Sequence, residues 1–164
     1  MSLHALATLA REASNYDPQL VLIGPCQQSN EGFLRDLALQ LGVADRLHLL
    51  APEYSRAAMA DAYQAADAVV VPSRSEALGL VVSEASSLHR LVIAAEVGGI
   101  SEQIAHIRNG LPFRHGRDSA GSGAALADQV EWAMKIRLWL HASLSSARCT
   151  AKRCIRDRDC QPAS

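Results

Sequence analysis

The sequence predicts an α/β fold: a three-layer, Rossmann-like parallel sheet with helices on both faces. Three observations carry this. Short β-branched runs alternate with stretches of helical periodicity along most of the chain. The run "DAVVVPS" (67–73) is nearly all apolar, as a strand covered on both faces requires. The 164 residues, 49% hydrophobic and 20% charged, suffice for one globular domain with a real core.

Taken in order, "LHALATLARE" opens the chain as a helix. "QLVLIG" (19–24), bounded by Pro18 and Gly24, is a strand. Leu34, Leu37, Ala38 and Leu41 then recur at helical spacing, and Gly42 ends that helix. "RLHLL" (46–50) is a second strand. Ser55 caps a helix whose inner face is Met59, Ala62, Tyr63 and Ala66. After "DAVVVPS" comes a helix from about Leu78 to Leu88, the strand "RLVIAA" (90–95), a Gly-Gly turn and a short helix, "SEQIAHI" (101–107). "GLPFRH" (110–115) is a weaker last strand. A helix from about Ala124 to Leu140 closes the series, with Leu126, Val130, Ala133 and Met134 inward.

In parallel sheets of this kind ligands bind at the carboxyl ends of strands, in loops that lead into helices. "PSRSEALG" (72–79) and "VGGIS" (97–101) are two such loops. With a helix starting near Leu78, Gly79 and Leu80 offer free backbone N–H groups, a natural anion site. Gly79 lets a phosphate approach without a Cβ in the way. Glu76 and Glu84 bracket that site, eight residues or roughly 12 Å apart along a helix. Carboxylates accept hydrogen bonds from hydroxyls, so the spacing suits a ligand with polyhydroxylated rings at each end of a diphosphate. By spacing alone the blander reading, Glu76 as a helix-dipole residue and Glu84 as a solvated position, is the favoured one.

"VVVPSRSEALGLVVSEA" resembles the Glu–seven residues–Glu signature of retaining glycosyltransferases of the GT-B fold, family 4 (glycosyl transferases group 1). "PQLVLIGP", "LGVADRLHLLAPEYSRAAMADAYQAADAVVVPS", "VIAAEVGGISEQI" and "IRNGLPFRHGRDSAGSGAALADQV" follow the same family in order and spacing. The resemblance covers about residues 3 to 136. It implies the nucleotide-sugar donor-binding, C-terminal half of such an enzyme, transferring a glycosyl group with retention and without a metal or other cofactor. Glu76 would be the catalytic-site carboxylate, contacting donor-sugar hydroxyls. The backbone at Leu78, Gly79 and Leu80 would meet the diphosphate, and Glu84 would hold the ribose. Ala51, Pro52 and Glu53 would lie by the base. Gly98 and Gly99 would permit close approach of the sugar. Helix amides and positive charge would stabilise the leaving nucleoside diphosphate.

Family members also carry an N-terminal domain that binds the acceptor. Their donor domain begins with a strand ending in Gly-Arg, followed by a Lys, facing the diphosphate. Here no Arg or Lys precedes Arg11. The chain is therefore expected to be truncated, to lack the first strand of its sheet, and to have little activity without a separate N-terminal domain or chain as partner. In the order 3-2-1-4-5-6 that strand is central, so "VLIG" and "VVVP" must pair directly or leave backbone groups unsatisfied. The alternatives are a non-catalytic nucleotide-sugar-binding fragment and a nucleotide-sugar epimerase, whose acid–base residues have no place here.

A formal net charge of −1 gives no reason to expect nucleic acid. No apolar run approaches the roughly 20 residues of a membrane helix, and the N-terminus lacks a signal-peptide layout, so a cytoplasmic location is expected. From His141 onward five basic residues stand against two acidic ones, +3, while the remainder is at −4 (eleven basic, fifteen acidic). That tail (141–164) is expected to be poorly ordered, with peripheral contact to an anionic membrane as its alternative role. Cys149, Cys154 and Cys160 are spaced unlike zinc ligands, and no metal site is assigned. Cys26 has no evident activating base. Arg74 reads equally as a phosphate contact and as a solvated arginine.

Overall fold

The protein is described by a computed structural model over residues 1–12, 16–25, 28–51, 55–104 and 110–136. Helix α1 (Ser2–Glu12) is followed by strand β1 (Leu20–Ile23) and helix α2 (Gln28–Gln40). A 3-10 turn at Ala44–Arg46 leads into β2 (Leu47–Leu50). Then come α3 (Arg56–Ala65), β3 (Ala68–Val71), α4 (Leu80–Ser87), β4 (Leu91–Ala95), α5 (Ile100–Gln103) and β5 (Leu111–Phe113). Helix α6 occupies residues 119–136. Met1–Glu131 is one compact unit and Trp132–Ser164 another, of which residues 132–136 are described. The basic, cysteine-containing tail lies outside the described residues, as does any boundary at residue 140.

All strand pairs are parallel. Leu20 to Ile23 run in register with Leu47 to Leu50, Ala68 to Val71 with Leu91 to Ala94, and Ile93 to Ala95 with Leu111 to Phe113. These ladders make two sheets, β1-β2 and β3-β4-β5, and among the described residues no ladder joins β1 to β3. Of the two expected alternatives, direct pairing of "VLIG" with "VVVP" is therefore not the one seen among the described residues. In the doubly wound order 3-2-1-4-5-6, the two sheets correspond to positions 3-2 and 4-5-6.

The interruption shows in the burial. In β4, flanked by a strand on each side, Val92 to Ala95 are all at 0% exposure. In β3, with a strand on one side only, Ala68, Val69 and Val70 are half-buried and only Val71 is buried. This apolar strand is thus less deeply buried than β4. An edge strand lacks the neighbour whose side chains would complete its cover.

Each sheet has its own core. Leu3, Leu6 and Ala7 of α1 meet Ala38 of α2, Val43 and Leu47 against β1 and β2. Val82 and Ala85 of α4 meet Val71, Val92, Ala94, Ile100 and Ile104.

Two helix starts differ from the periodicity. Helix α6 begins at residue 119, not near Ala124, because Asp118 caps it: its Oδ1 accepts from the Gly121 N–H at 2.7 Å. Helix α4 begins at Leu80 rather than Leu78. Gly79, at φ +63°, sits in the left-handed region and serves as the N-cap instead of a helical residue.

Candidate functional site

The carboxyl ends of β3, β4 and β5 gather three loops. His115, just beyond β5, reaches the Ser73 carbonyl through Nε2 at 2.9 Å. A carbonyl only accepts, so Nε2 carries the proton, and Nδ1 is left buried without a partner. The ring packs edge-on against Phe113, centroids 5.6 Å apart. Beside it, the Arg114 Nε donates to Glu96 Oε2 at 2.5 Å, which ties the loop after β5 to the end of β4. The Arg114 guanidinium holds its proton more tightly for that hydrogen bond and the Glu96 charge.

The loop after β3 carries Glu76, and the structure gives both its oxygens a partner in the same loop. The Ser73 hydroxyl donates to Oε2 at 3.4 Å, and the Gly79 N–H donates to Oε1 at 3.3 Å. The Gly79 amide is thus not the free donor that the sequence suggests. The amides of Leu80 and Val81, in the first turn of α4, have no intrahelical acceptor. Leu78 and Leu80 are 61% and 63% exposed, so the chain here presents backbone and apolar side chains to the outside.

The glycines serve the chain itself. A Cβ on Gly79 would come within 3.0 Å of Ile100 Cγ1, so its small size admits a packed neighbour. A Cβ on Gly98 would fall 2.1 Å from the Glu76 carbonyl oxygen, and one on Gly99 2.2 Å from that of Ala77. The Gly99 N–H donates to the Glu76 carbonyl at 3.1 Å. The Gly-Gly turn therefore docks backbone to backbone on the Glu76 loop. Gln103 of α5 completes the brace: its Nε2 donates to the Leu78 carbonyl and its Oε1 accepts from the Ser83 hydroxyl at 3.1 Å.

Glu84 lies one turn into α4, on an exposed face. Its Oε2 accepts from the Tyr63 hydroxyl of α3 at 2.8 Å. Partial burial, then this hydrogen bond, then the Glu84 charge push the Tyr63 hydroxyl up to about 12. Arg74 is exposed and lies near the Met1 amine, whose proton affinity falls through burial first and the Arg74 charge second. The start of α1 thus shares this end of the sheet.

Of the predicted residues, Glu76, Leu78, Gly79, Leu80, Gly98 and Gly99 come together here, with Glu84 on the helix that follows. Ala51 stands exposed after β2, and Pro52 and Glu53 lie outside the described residues. Tyr63, Ser73, His115 and Gln103 were not singled out by sequence as site residues. Only Tyr63 carries a local signal, a tyrosine on the inner face of a helix, whose polar tip needs a partner. A hollow of about 190 Å³ lined by Ala95, Glu96, Ile100, Ser101, Ile104 and Pro112 contains none of the predicted contact residues. It is smaller than ordinary ligand pockets of about 300–1,000 Å³.

The family model described as glycosyl transferases group 1 matches residues 1–148. A D-inositol 3-phosphate glycosyltransferase of Mycobacteroides abscessus is 49% identical over 78 residues, which are 48% of this chain and 17% of that protein. The crystal structure of WaaG, a glycosyltransferase involved in lipopolysaccharide biosynthesis, matches with a TM-score of 0.67 at 24% identity, over 82% of this chain and 33% of WaaG. Anabaena Alr3699/HepE in complex with UDP-glucose matches with a TM-score of 0.58 at 23% identity, over 87% of this chain and 44% of the other. At those identities the likeness to the two structures is one of fold.

Proposed function

The chain belongs to the glycosyl transferases group 1 family, and we propose that it forms the nucleotide-sugar donor half-site of a retaining, metal-independent glycosyltransferase. One observation carries the reading: Glu76 precedes and Glu84 follows the α4 N-terminus, where a helix start offers first-turn amides to an anion. A diphosphate would accept from the Leu80 and Val81 amides. Glu76 would exchange its long Ser73 and Gly79 contacts for shorter ones to sugar hydroxyls. Glu84 would accept from the ribose, and the turn beginning at Ala51 would lie by the base. As bond cleavage proceeds, negative charge grows on the diphosphate, and fixed amide dipoles stabilise it without reorganising.

The structure of Alr3699/HepE with UDP-glucose supports a nucleotide-sugar as donor, and D-inositol 3-phosphate, named for the Mycobacteroides relative, is the first acceptor to try. The chain covers 17% of that relative, so catalysis by the whole protein, in the cytoplasm and with a separate acceptor-binding domain, is part of the proposal. A non-catalytic nucleotide-sugar-binding role is the second reading. It is favoured by the loop 72–79 holding one basic side chain, Arg74, against the charge of a departing nucleoside diphosphate.

Calorimetric titration with UDP, ADP and GDP tests the half-site. One of the three is expected to bind, and Glu84→Ala to weaken it by about 10-fold, the loss of one hydrogen bond to a charged acceptor. Failure of all three to bind would remove the donor reading. Turnover of the matching nucleotide-sugar, alone or with an added acceptor domain, separates enzyme from binding module.

A further inference from the structure

Glu84 is a long side chain on an exposed helix face, and a free carboxylate there samples many rotamers. The structure shows it held. The Tyr63 hydroxyl donates to Oε2 at 2.8 Å across the space between α3 and α4. Among the described residues this is the only polar contact of the Glu84 carboxylate. The Ser87 hydroxyl and the Leu88 N–H bind its main-chain carbonyl instead. The other end of Tyr63 is anchored, since its half-buried ring packs against the core formed by Val71, Val82, Ala85 and their neighbours. A rigid aromatic body with two rotatable bonds thus fixes a flexible acid.

We infer that Tyr63 is a positioning residue which orients the Glu84 carboxylate for the vicinal hydroxyls of a ribose, and so sets a preference for ribonucleoside over 2′-deoxyribonucleoside diphosphates. The inference rests on the donor-site reading of Glu84. The lone-pair arithmetic permits it. A carboxylate has about four acceptor positions. Tyr63 takes one on Oε2, which leaves the second there and both on Oε1 for the two hydroxyls. Orientation matters because two hydroxyls on adjacent carbons meet one carboxylate well in only a narrow range of angles, and ordering the acid in advance lowers the cost of binding. The donor is also durable: a hydroxyl that titrates at about 12 stays protonated throughout the physiological range. A phenylalanine would keep the ring and its packing while removing only the tether.

The test is calorimetry on the full 164-residue chain, with UDP, ADP and GDP and their 2′-deoxy counterparts. The unaltered chain is expected to prefer the ribo form of whichever base it binds. Tyr63→Phe is expected to weaken the ribo form by about 3- to 10-fold, the range of one net hydrogen bond, and the deoxy form by much less. The ribo/deoxy ratio then shrinks, a change that a merely structural role would not produce. Glu84→Ala, at an exposed position that does not threaten folding, must remove the same preference. In that background Tyr63→Phe should add nothing. If Tyr63→Phe leaves the ribo/deoxy ratio unchanged while Glu84→Ala lowers it, Tyr63 does not position Glu84 and the donor reading stands. If Glu84→Ala leaves the ratio unchanged, or no diphosphate binds at all, both fall.

Discussion

Gly98 has φ +45° and no room for a side chain, because an added Cβ would stand 2.1 Å from the Glu76 carbonyl oxygen. That oxygen is main chain and cannot swing aside. Gly98→Ala therefore forces the two loops apart, at roughly 2–4 kcal/mol for overpacking combined with the left-handed backbone. The expected result is a melting temperature several degrees lower, followed by circular dichroism, together with weaker nucleotide binding as the Glu76 loop shifts. Unchanged melting would mean that the loops are not docked in this way. This residue also shows the reach of the sequence. The Glu76–Glu84 spacing is local and was legible, since both residues lie in one contiguous stretch. That Gly98, 22 residues beyond Glu76, is there for the Glu76 carbonyl was not legible, because the reason is a tertiary contact. The glycines themselves were visible, but their docking on the Glu76 loop was not. Tyr63 was likewise placed on the correct helix face, but nothing local indicates which carboxylate its hydroxyl finds.

At the level of elements, the boundaries that moved are those where a cap overrides periodicity. "DSAGSG" holds two glycines, which lower helix propensity. The helix nonetheless starts there, because Asp118 satisfies the Gly121 amide and the Ser122 hydroxyl donates to the Asp118 carbonyl at 2.8 Å. Gly123 is needed for packing, since a Cβ would lie 2.6 Å from that of His4 in α1. Weak intrinsic propensity makes the cap matter more. Asp118→Ala is expected to cost about 1 kcal/mol. Its specific signature would be faster amide exchange at residues 120–122, with the rest of α6 unaffected. The strands, by contrast, were legible almost to the residue, because a short apolar run ends where polar or turn-forming residues must leave the sheet.

For the whole molecule, the two-sheet arrangement has a consequence that backbone exchange can read. In a parallel ladder successive N–H groups point to opposite sides of the strand, so a strand with one neighbour has about half of its amides in the ladder. Strand β4 has β3 and β5 beside it, whereas β1 has β2 alone and β3 has β4 alone among the described residues. The amides of Leu91–Ala95 are therefore expected to exchange slowest in the chain. In Leu20–Ile23 and Ala68–Val71, alternate amides should exchange orders of magnitude faster than the ones between them, since their opening requires no loss of the fold. The half-exposed side chains of β3 and Val21, at 50% exposure, fit the same asymmetry. Hydrogen–deuterium exchange resolved to single residues by NMR would settle it. Slow exchange at every amide of both strands would mean that these edges are covered in solution. A further parallel strand, from another segment or another polypeptide, would then be seated between them, and the five described strands would be part of one continuous sheet.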